Sequence, residues 1–314
     1  MEEFPAKKAF SRIGFAMLIF LLVPQILAAV LFAIFSAAAP SVVEAGWFVW
    51  VASFVPMYLI AFPLMLLILR GVPNGDGNPA EKTKLSVLKL FGLVVVCYGI
   101  TILFNLFSTF LASLVETLMG SAPANNLAEA VSGGSLLISF IAVVFVAPIM
   151  EEIIFRGILY KKLSPYGGKV YIFFSSLFFA IIHQNIYQLF YAFALGLVFG
   201  LITWSTGTIR YAIILHIGLN FLGTGVPVIL QAISGGNYEA AIGVWGLIAL
   251  TLAAAGLILG IVWFVRRRKD ITFAPPAQAL PAKRSYVCSL GMIFYWTAAI
   301  LLLIGVTFLL PLLG

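Results

Sequence analysis

The chain has 314 residues, of which 63% are hydrophobic and only 9% are charged, whereas a soluble domain carries about 25% charged residues. So few charges cannot give a chain of this size a hydrated surface, and the mean hydropathy of +1.14 favours a protein embedded in lipid. The net charge of +7 does not indicate nucleic-acid binding, because the positions of the basic residues explain it better.

Long apolar runs alternate with clusters of Gly, Pro, Asn and charged residues, and apolar runs of about 20 residues are typical of membrane-spanning helices. We predict an all-α, polytopic transmembrane bundle of eight or nine spans. The first run is too long for a signal peptide and lacks a convincing cleavage site, so we expect a retained span. The nine predicted spans are 13–38, 46–69, 88–118, 135–160, 168–185, 187–205, 208–232, 241–265 and 286–312.

All 18 Lys and Arg residues lie in or beside the N-terminal segment and the alternate connections that share its side of this arrangement. The positive-inside rule places that side in the cytoplasm. We therefore expect a cytoplasmic N-terminus, an external C-terminus and a multi-pass integral membrane protein, in the plasma membrane if the source is bacterial. Anionic lipid head groups are the expected partners of the basic residues.

Two pairs of glycines at four-residue spacing, Gly196 with Gly200 and Gly256 with Gly260, predict close contacts between helices. The predicted spans fall into three groups along the chain. They are residues 1–130 with about three N-terminal spans, residues 131–232 with four spans that carry unusual polar residues, and residues 233–314 with two C-terminal spans.

Two adjacent carboxylates follow an apolar run in the fourth predicted span, where a charge costs about 2.5–3.5 kcal/mol on insertion scales. Glu152 and Arg156 are four residues apart, so they face each other on a helix and can pair. Glu151 points about 100° away and stays available for chemistry. The alternative is a solvated Glu-Arg pair at a cytoplasmic helix end.

Both histidines of the chain lie in apolar surroundings. His183 ends the run that contains Phe179, and His216 lies one helical turn before Asn220. Either histidine alone is as readily explained by a structural hydrogen bond between helices, but together with the carboxylates they favour one shared polar cavity. At about 1.5 Å per residue, His183 falls deeper than Glu151 and His216, so the fifth helix must start below the membrane surface or tilt strongly.

These residue types suit amide hydrolysis. Burial disfavours a charged carboxylate, which makes Glu151 a plausible general base, and His183 could orient the water and transfer a proton. His216 and Asn220 supply donors for an oxyanion, each worth about 2.7–4 kcal/mol. Alternatively, Glu151, His183 and His216 could hold Zn²⁺, although the chain has no His-Glu-x-x-His motif.

Three motifs occur in order on successive hydrophobic segments: Glu151-Glu152-x-x-x-Arg156, Phe179-x-x-x-His183 and His216-x-x-x-Asn220. In this pattern the chain resembles the CAAX-protease and bacteriocin-processing (CPBP, or Abi) family, which includes the prenyl-protein endopeptidase of the endoplasmic reticulum. Each motif alone has low specificity, and their combination has high specificity. The resemblance covers about residues 135–232.

The resemblance implies an all-helical core with a cavity open to the cytosol and to lipid. It implies that Glu151 activates water with help from His183, and that His216 and Asn220 form the oxyanion site. The family is often described as metalloproteases, but we favour a metal-independent glutamate mechanism without a cofactor, with Zn²⁺ on Glu151, His183 and His216 as the alternative. The expected supporting residues are Glu152, Arg156 and Phe179.

The expected substrate is a membrane-associated or lipid-anchored peptide or protein. Prenylated CAAX proteins are the substrates of eukaryotic relatives, whereas bacteriocin or leader-peptide processing, or self-immunity, is expected in a bacterium. Two other classes would use the same buried polar residues without proteolysis: a transporter or channel, and a catalytically silent membrane scaffold.

Overall fold

A computed structural model describes residues 5–78, 83–267 and 287–309, and all regular secondary structure within these ranges is helical. Eight of the helices are long and apolar enough to cross a membrane, which confirms the predicted all-α, multi-pass membrane protein. The apolar helices are α1 (Ala6–Ala38), α2 (Phe48–Leu69), α3 (Val87–Met119), α4 (Leu136–Tyr166), α5 (Gly168–Ile181), α6 (Ile186–Thr206), α7 (Arg210–Ile233), α8 (Tyr238–Arg266) and α9 (Leu290–Leu309).

The fifth predicted span, 168–185, is shorter than expected. Helix α5 has 14 residues, which gives a length of about 21 Å, below the roughly 30 Å of a bilayer core. It ends because Gln184 adopts a left-handed φ of 46° and Asn185 caps the start of α6 by accepting from Tyr187 N at 2.9 Å.

The described residues group into two compact units. The first contains described residues within 1–74, 123–139 and 278–314, and the second contains those within 75–122 and 140–277. The three-part division of the spans along the sequence stays a prediction, as does the orientation of the termini. Five of the basic residues used for that orientation lie outside the described residues: Lys82, Arg268, Lys269, Lys283 and Arg284.

In the first unit, α1 and α9 approach closely at Gly14 and Gly291, where an added Cβ would overlap the backbone of the other helix. The amide of Gly291 donates to Ser11 Oγ at 3.1 Å. Within the same unit, Trp50 Nε1 of α2 donates to Ser139 Oγ at 3.1 Å. Small residues therefore allow the backbones of α1 and α9 to pack directly against each other, as expected for helices in lipid.

The second unit contains the glycine contacts predicted from sequence. Gly196 of α6 faces Ser176 of α5, and Gly256 of α8 faces the Val95 carbonyl of α3. Gly200 and Gly260 pack one turn further along against Ile172 and Val96. The predicted close helix contacts are confirmed.

The residues that precede α3 fasten the ends of three helices of the second unit. Their backbone and side-chain amides donate to groups at the end of α4, the end of α6 and the start of α7. The bonds are Gly75 N to Lys161 O at 2.7 Å, Asn78 N to Tyr160 Oη at 2.9 Å, Asn78 Nδ2 to Trp204 O at 3.0 Å, Thr83 N to Ser205 O at 3.0 Å and Leu85 N to Tyr211 Oη at 3.3 Å.

Two glycines of α8 provide a matched test of this packing. We expect Gly256→Ala to lower the free energy of unfolding by about 1–3 kcal/mol, because the added methyl group overlaps the Val95 carbonyl and forces α3 and α8 apart. Gly246 has no atom within 4 Å of an added Cβ, so Gly246→Ala should change stability by less than about 1 kcal/mol. Denaturant titration in micelles measures both, and equal effects would contradict the packing.

Candidate active site

Helix α4 carries the charged residues of the site on an irregular backbone. It contains two π-helical stretches, Ala142–Val146 and Ile153–Ile158. The amide of Ala147 bonds to Ala142 O rather than to Val143 O, and the next residue, Pro148, has no N–H to donate. The carbonyl of Val143 therefore has no backbone donor from its own helix and needs a partner elsewhere.

Asn220 of α7 supplies that partner. Its Nδ2 donates to Val143 O at 2.8 Å, which ties α7 to the first π-helical stretch of α4. The Asn220 amide, which we predicted to donate to an oxyanion, thus has one of its two hydrogens bonded to the backbone of α4. A further π-helical stretch, Phe221–Gly225, begins directly after Asn220, and such stretches are common at functional sites.

The central contact of the site is a buried ion pair within α4. Arg156 Nη1 lies 3.0 Å from Glu152 Oε1, and both side chains are 0% exposed, which confirms the pairing predicted from their spacing. Arg156 Nη2 also donates to the carbonyl of Gly196 in α6 at 3.3 Å. The backbone of α6 therefore helps to satisfy a guanidinium that has no contact with solvent.

His216 of α7 lies between the two adjacent carboxylates. Its Nδ1 is 2.9 Å from Glu152 Oε1, and its Nε2 is 3.6 Å from Glu151 Oε2. Glu152 thus bonds to both Arg156 and His216, whereas the side chain of Glu151 remains 19% exposed. One carboxylate is buried and bonded through Oε1 to two partners, and the other is accessible.

His183 lies in the turn between α5 and α6. Its Nδ1 is 2.7 Å from the Phe179 carbonyl, one of the carbonyls that the end of a helix leaves without a backbone donor. His183 lies within electrostatic range of Glu151 and His216. Its ring also meets the Phe179 ring edge to face, at a centroid distance of 5.1 Å.

Phe179 and Phe199 line the network from α5 and α6. Arg156 Cζ lies 4.4 Å from the Phe179 ring centroid and 5.4 Å from that of Phe199. The His216 ring lies 5.6 Å from Phe179 and 5.4 Å from Phe199. Phe179 therefore contacts both histidines, and both phenyl rings contact the buried guanidinium.

The structure thus brings the predicted site residues into one neighbourhood of the second unit. The carboxylates, Arg156, His216 and Phe179 contact one another, His183 reaches the group through Phe179, and Asn220 borders it through α4. Sequence reasoning missed three participants: Val143, Gly196 and Phe199. Only Gly196 carried a signal, its place in a glycine pair, while Phe199 is one of 28 phenylalanines.

A metal ion was the alternative suggested by the residue types. Each imidazole is held through Nδ1, which leaves Nε2 to ligate, and Glu151 offers an oxygen, so the donor chemistry suits Zn²⁺. Within the described ranges, however, no three His, Cys, Asp or Glu side chains lie close enough together to hold a metal ion. As placed, these side chains do not fit a metal ion.

Comparison with protein families gives a match over residues 133–222, to the family described as Type II CAAX prenyl endopeptidase Rce1-like. Comparison with curated proteins and with solved structures gives no match. The matched segment contains the carboxylates of α4, both histidines and Asn220, and it coincides with the segment that carries the three motifs. Residues 133–222 of this multi-pass membrane protein are therefore similar to a family model of the CPBP proteins.

Proposed function

We propose that the protein is an intramembrane endopeptidase that hydrolyses a peptide bond in a membrane-associated or lipid-anchored substrate. The observation that carries this proposal is the unequal pair of adjacent carboxylates. Glu152 is buried against Arg156 and His216, whereas Glu151 lies beside His216 and remains partly exposed. The match to a family described as a CAAX prenyl endopeptidase supports the reaction class.

The hydrogen bonds of the histidines indicate where their protons lie. A backbone carbonyl only accepts hydrogen bonds, so His183 Nδ1 carries a proton that it donates to Phe179 O, and its Nε2 holds the lone pair. The carboxylate of Glu152, ionised beside Arg156, likewise accepts from His216 Nδ1. Both rings therefore present Nε2 to the rest of the site.

In the first step Glu151 is the general base. It removes a proton from a water molecule that His183 Nε2 orients by accepting the other water hydrogen, and the water oxygen forms a bond to the carbonyl carbon of the substrate. A partly buried carboxylate that water can still reach is well suited to this role. Glu151 is free to act as the base because the neighbouring Glu152 forms the ion pair with Arg156.

The tetrahedral intermediate carries a negative charge on the former carbonyl oxygen. In the proposed mechanism His216 also carries a proton on Nε2, the nitrogen that lies 3.6 Å from Glu151 Oε2. That Nε2–H, together with the second amide hydrogen of Asn220, donates to the oxyanion. The C–N bond then breaks, and the proton held by Glu151 passes to the leaving amine.

The substrate class follows from the location of the site within apolar helices. A peptide that reaches it must partition into the membrane or carry a lipid, as in CAAX-type, bacteriocin or leader-peptide processing. A transporter or channel is the second candidate, since buried ionisable residues also form ion pathways. A mutation that stops cleavage and leaves the fold intact separates the two.

Glu151→Gln keeps the size of the side chain and removes the base. We expect cleavage of an internally quenched farnesylated CAAX peptide to fall by about 10²–10⁴-fold, with unchanged expression and thermal stability. Comparison of membrane peptidomes from cells with wild type and with Glu151→Gln identifies natural substrates as peptides that only the wild type releases. Glu129→Gln, at an exposed glutamate, is the matched control, and full processing by Glu151→Gln would refute the proposal.

The buried pair allows structure and chemistry to be separated. Glu152→Leu leaves the Arg156 charge buried without its carboxylate, so we expect a loss of about 3–5 kcal/mol in the free energy of unfolding. The double variant Glu152→Leu/Arg156→Met should recover most of this stability and stay inactive, because His216 has lost its acceptor. Denaturant titration and the cleavage assay measure the two effects, and recovery of activity in the double variant would exclude the role of Glu152.

A metal-independent reaction predicts that chelators have no effect. We expect the purified protein to keep its cleavage rate after dialysis against EDTA or 1,10-phenanthroline, because Glu151 itself activates the water. Loss of activity that Zn²⁺ restores would replace this mechanism with one in which Glu151, His183 and His216 hold the metal.

A further inference from the structure

Helix α6 carries none of the three motifs, yet it contacts the core of the site at two positions. Gly196 and Phe199 are three residues apart and therefore share one helix face. The Gly196 carbonyl accepts from Arg156 Nη2 at 3.3 Å, and the Phe199 ring lies 5.4 Å from Arg156 Cζ. The same ring lies 5.4 Å from the ring of His216.

Phe199 is 0% exposed and has a counterpart in Phe179 of α5. Each of the two rings contacts both Arg156 and His216. A guanidinium within about 6 Å of an aromatic ring face is attracted by the ring's quadrupole, most strongly where water is absent. The two rings therefore hold the guanidinium and the imidazole that Glu152 links by hydrogen bonds.

We propose that Phe199 is a positioning residue of this site, acting through Arg156 and His216. Its ring keeps the guanidinium against Glu152, and Glu152 in turn keeps the Nδ1 proton of His216 in place and its Nε2 directed at Glu151. The inference concerns the same site as the proposed function, and only its kinetic consequence rests on that function. Its effect on the His216 ring does not depend on proteolysis.

The bare backbone of Gly196 is the second part of this contact. An added Cβ would lie 2.8 Å from Ser176 Cβ, too close for ordinary packing, so any side chain would push α5 and α6 apart. That separation would withdraw the Gly196 carbonyl and the Phe199 ring from Arg156 together. The glycine pair of α6 thus brings the helix close enough for its backbone and its phenyl ring to reach the ion pair.

The composition of the chain allows a direct spectroscopic test. Only two histidines are present, so labelling the full-length protein with ring-¹⁵N histidine gives the signals of two imidazoles, which His183→Gln assigns. Phe199 is replaced by 4-fluoro-, 3,5-difluoro- and 3,4,5-trifluorophenylalanine, which weaken the quadrupole with little change in shape. The same series at Phe20, a buried ring of the first unit, is the control.

We expect fluorination at Phe199 to shift the His216 ¹⁵N signals progressively and to leave those of His183 unchanged, because His183 contacts Phe179. The series at Phe20 should shift neither histidine. Unchanged His216 signals in the Phe199 series, or equal changes in the Phe20 series, would overturn the inference. This readout stands even if the protein cleaves no peptide, so a failure of the proposed function is recognised separately.

The kinetic arm uses the farnesylated, internally quenched CAAX peptide. We expect kcat to fall by about tenfold from phenylalanine to trifluorophenylalanine at position 199, with little change in KM, because the guanidinium loses a buried contact. The melting temperatures of the Phe199 and Phe20 series should change alike. A fall in kcat that merely follows the melting temperature, or none at all, would show that Phe199 only fills space.

Discussion

The arrangement of the site depends on one interaction, the fully buried pair of Arg156 and Glu152. Two charges removed from water cost several kcal/mol each unless every polar atom finds a partner. The pair meets part of this demand by recruiting other helices: Gly196 O from α6 accepts from the guanidinium, His216 from α7 bonds to the carboxylate, and Phe179 from α5 lies over the guanidinium. Among the described residues, Glu152 Oε2 and Arg156 Nε have no hydrogen-bond partner. A charge that must be satisfied in an apolar core thereby brings four helices together.

The irregular backbone of α4 also helps to arrange the site. Pro148 cannot donate, and Ala147 bonds to Ala142, so the Val143 carbonyl must be satisfied from outside the helix. Asn220 satisfies it, which sets α7, and with it His216 one turn earlier, against α4. The proline of an apolar helix is usually noted for bending it, but here its missing N–H also creates the acceptor that places the neighbouring helix.

The sequence predicted those features that follow from local spacing. Apolar runs gave the helices, and the four-residue interval gave the contact of Glu152 with Arg156. It could not predict that His216 binds Glu152 through Nδ1, because that contact joins residues 64 positions apart. The early end of α5 was also missed, since the turn depends on how Gln184 and Asn185 pair with nearby backbone groups, which hydropathy does not register.

The two adjacent glutamates have different environments because they point in different directions from the same helix. Arg156 lies four residues after Glu152 but five after Glu151, so the guanidinium pairs with Glu152 alone. Consecutive residues differ by about 100° around the helix axis, and Glu151 therefore keeps 19% of its side chain exposed while Glu152 is fully covered. His216 touches both: the fixed carboxylate orients the imidazole through Nδ1, and the accessible one lies 3.6 Å from its Nε2.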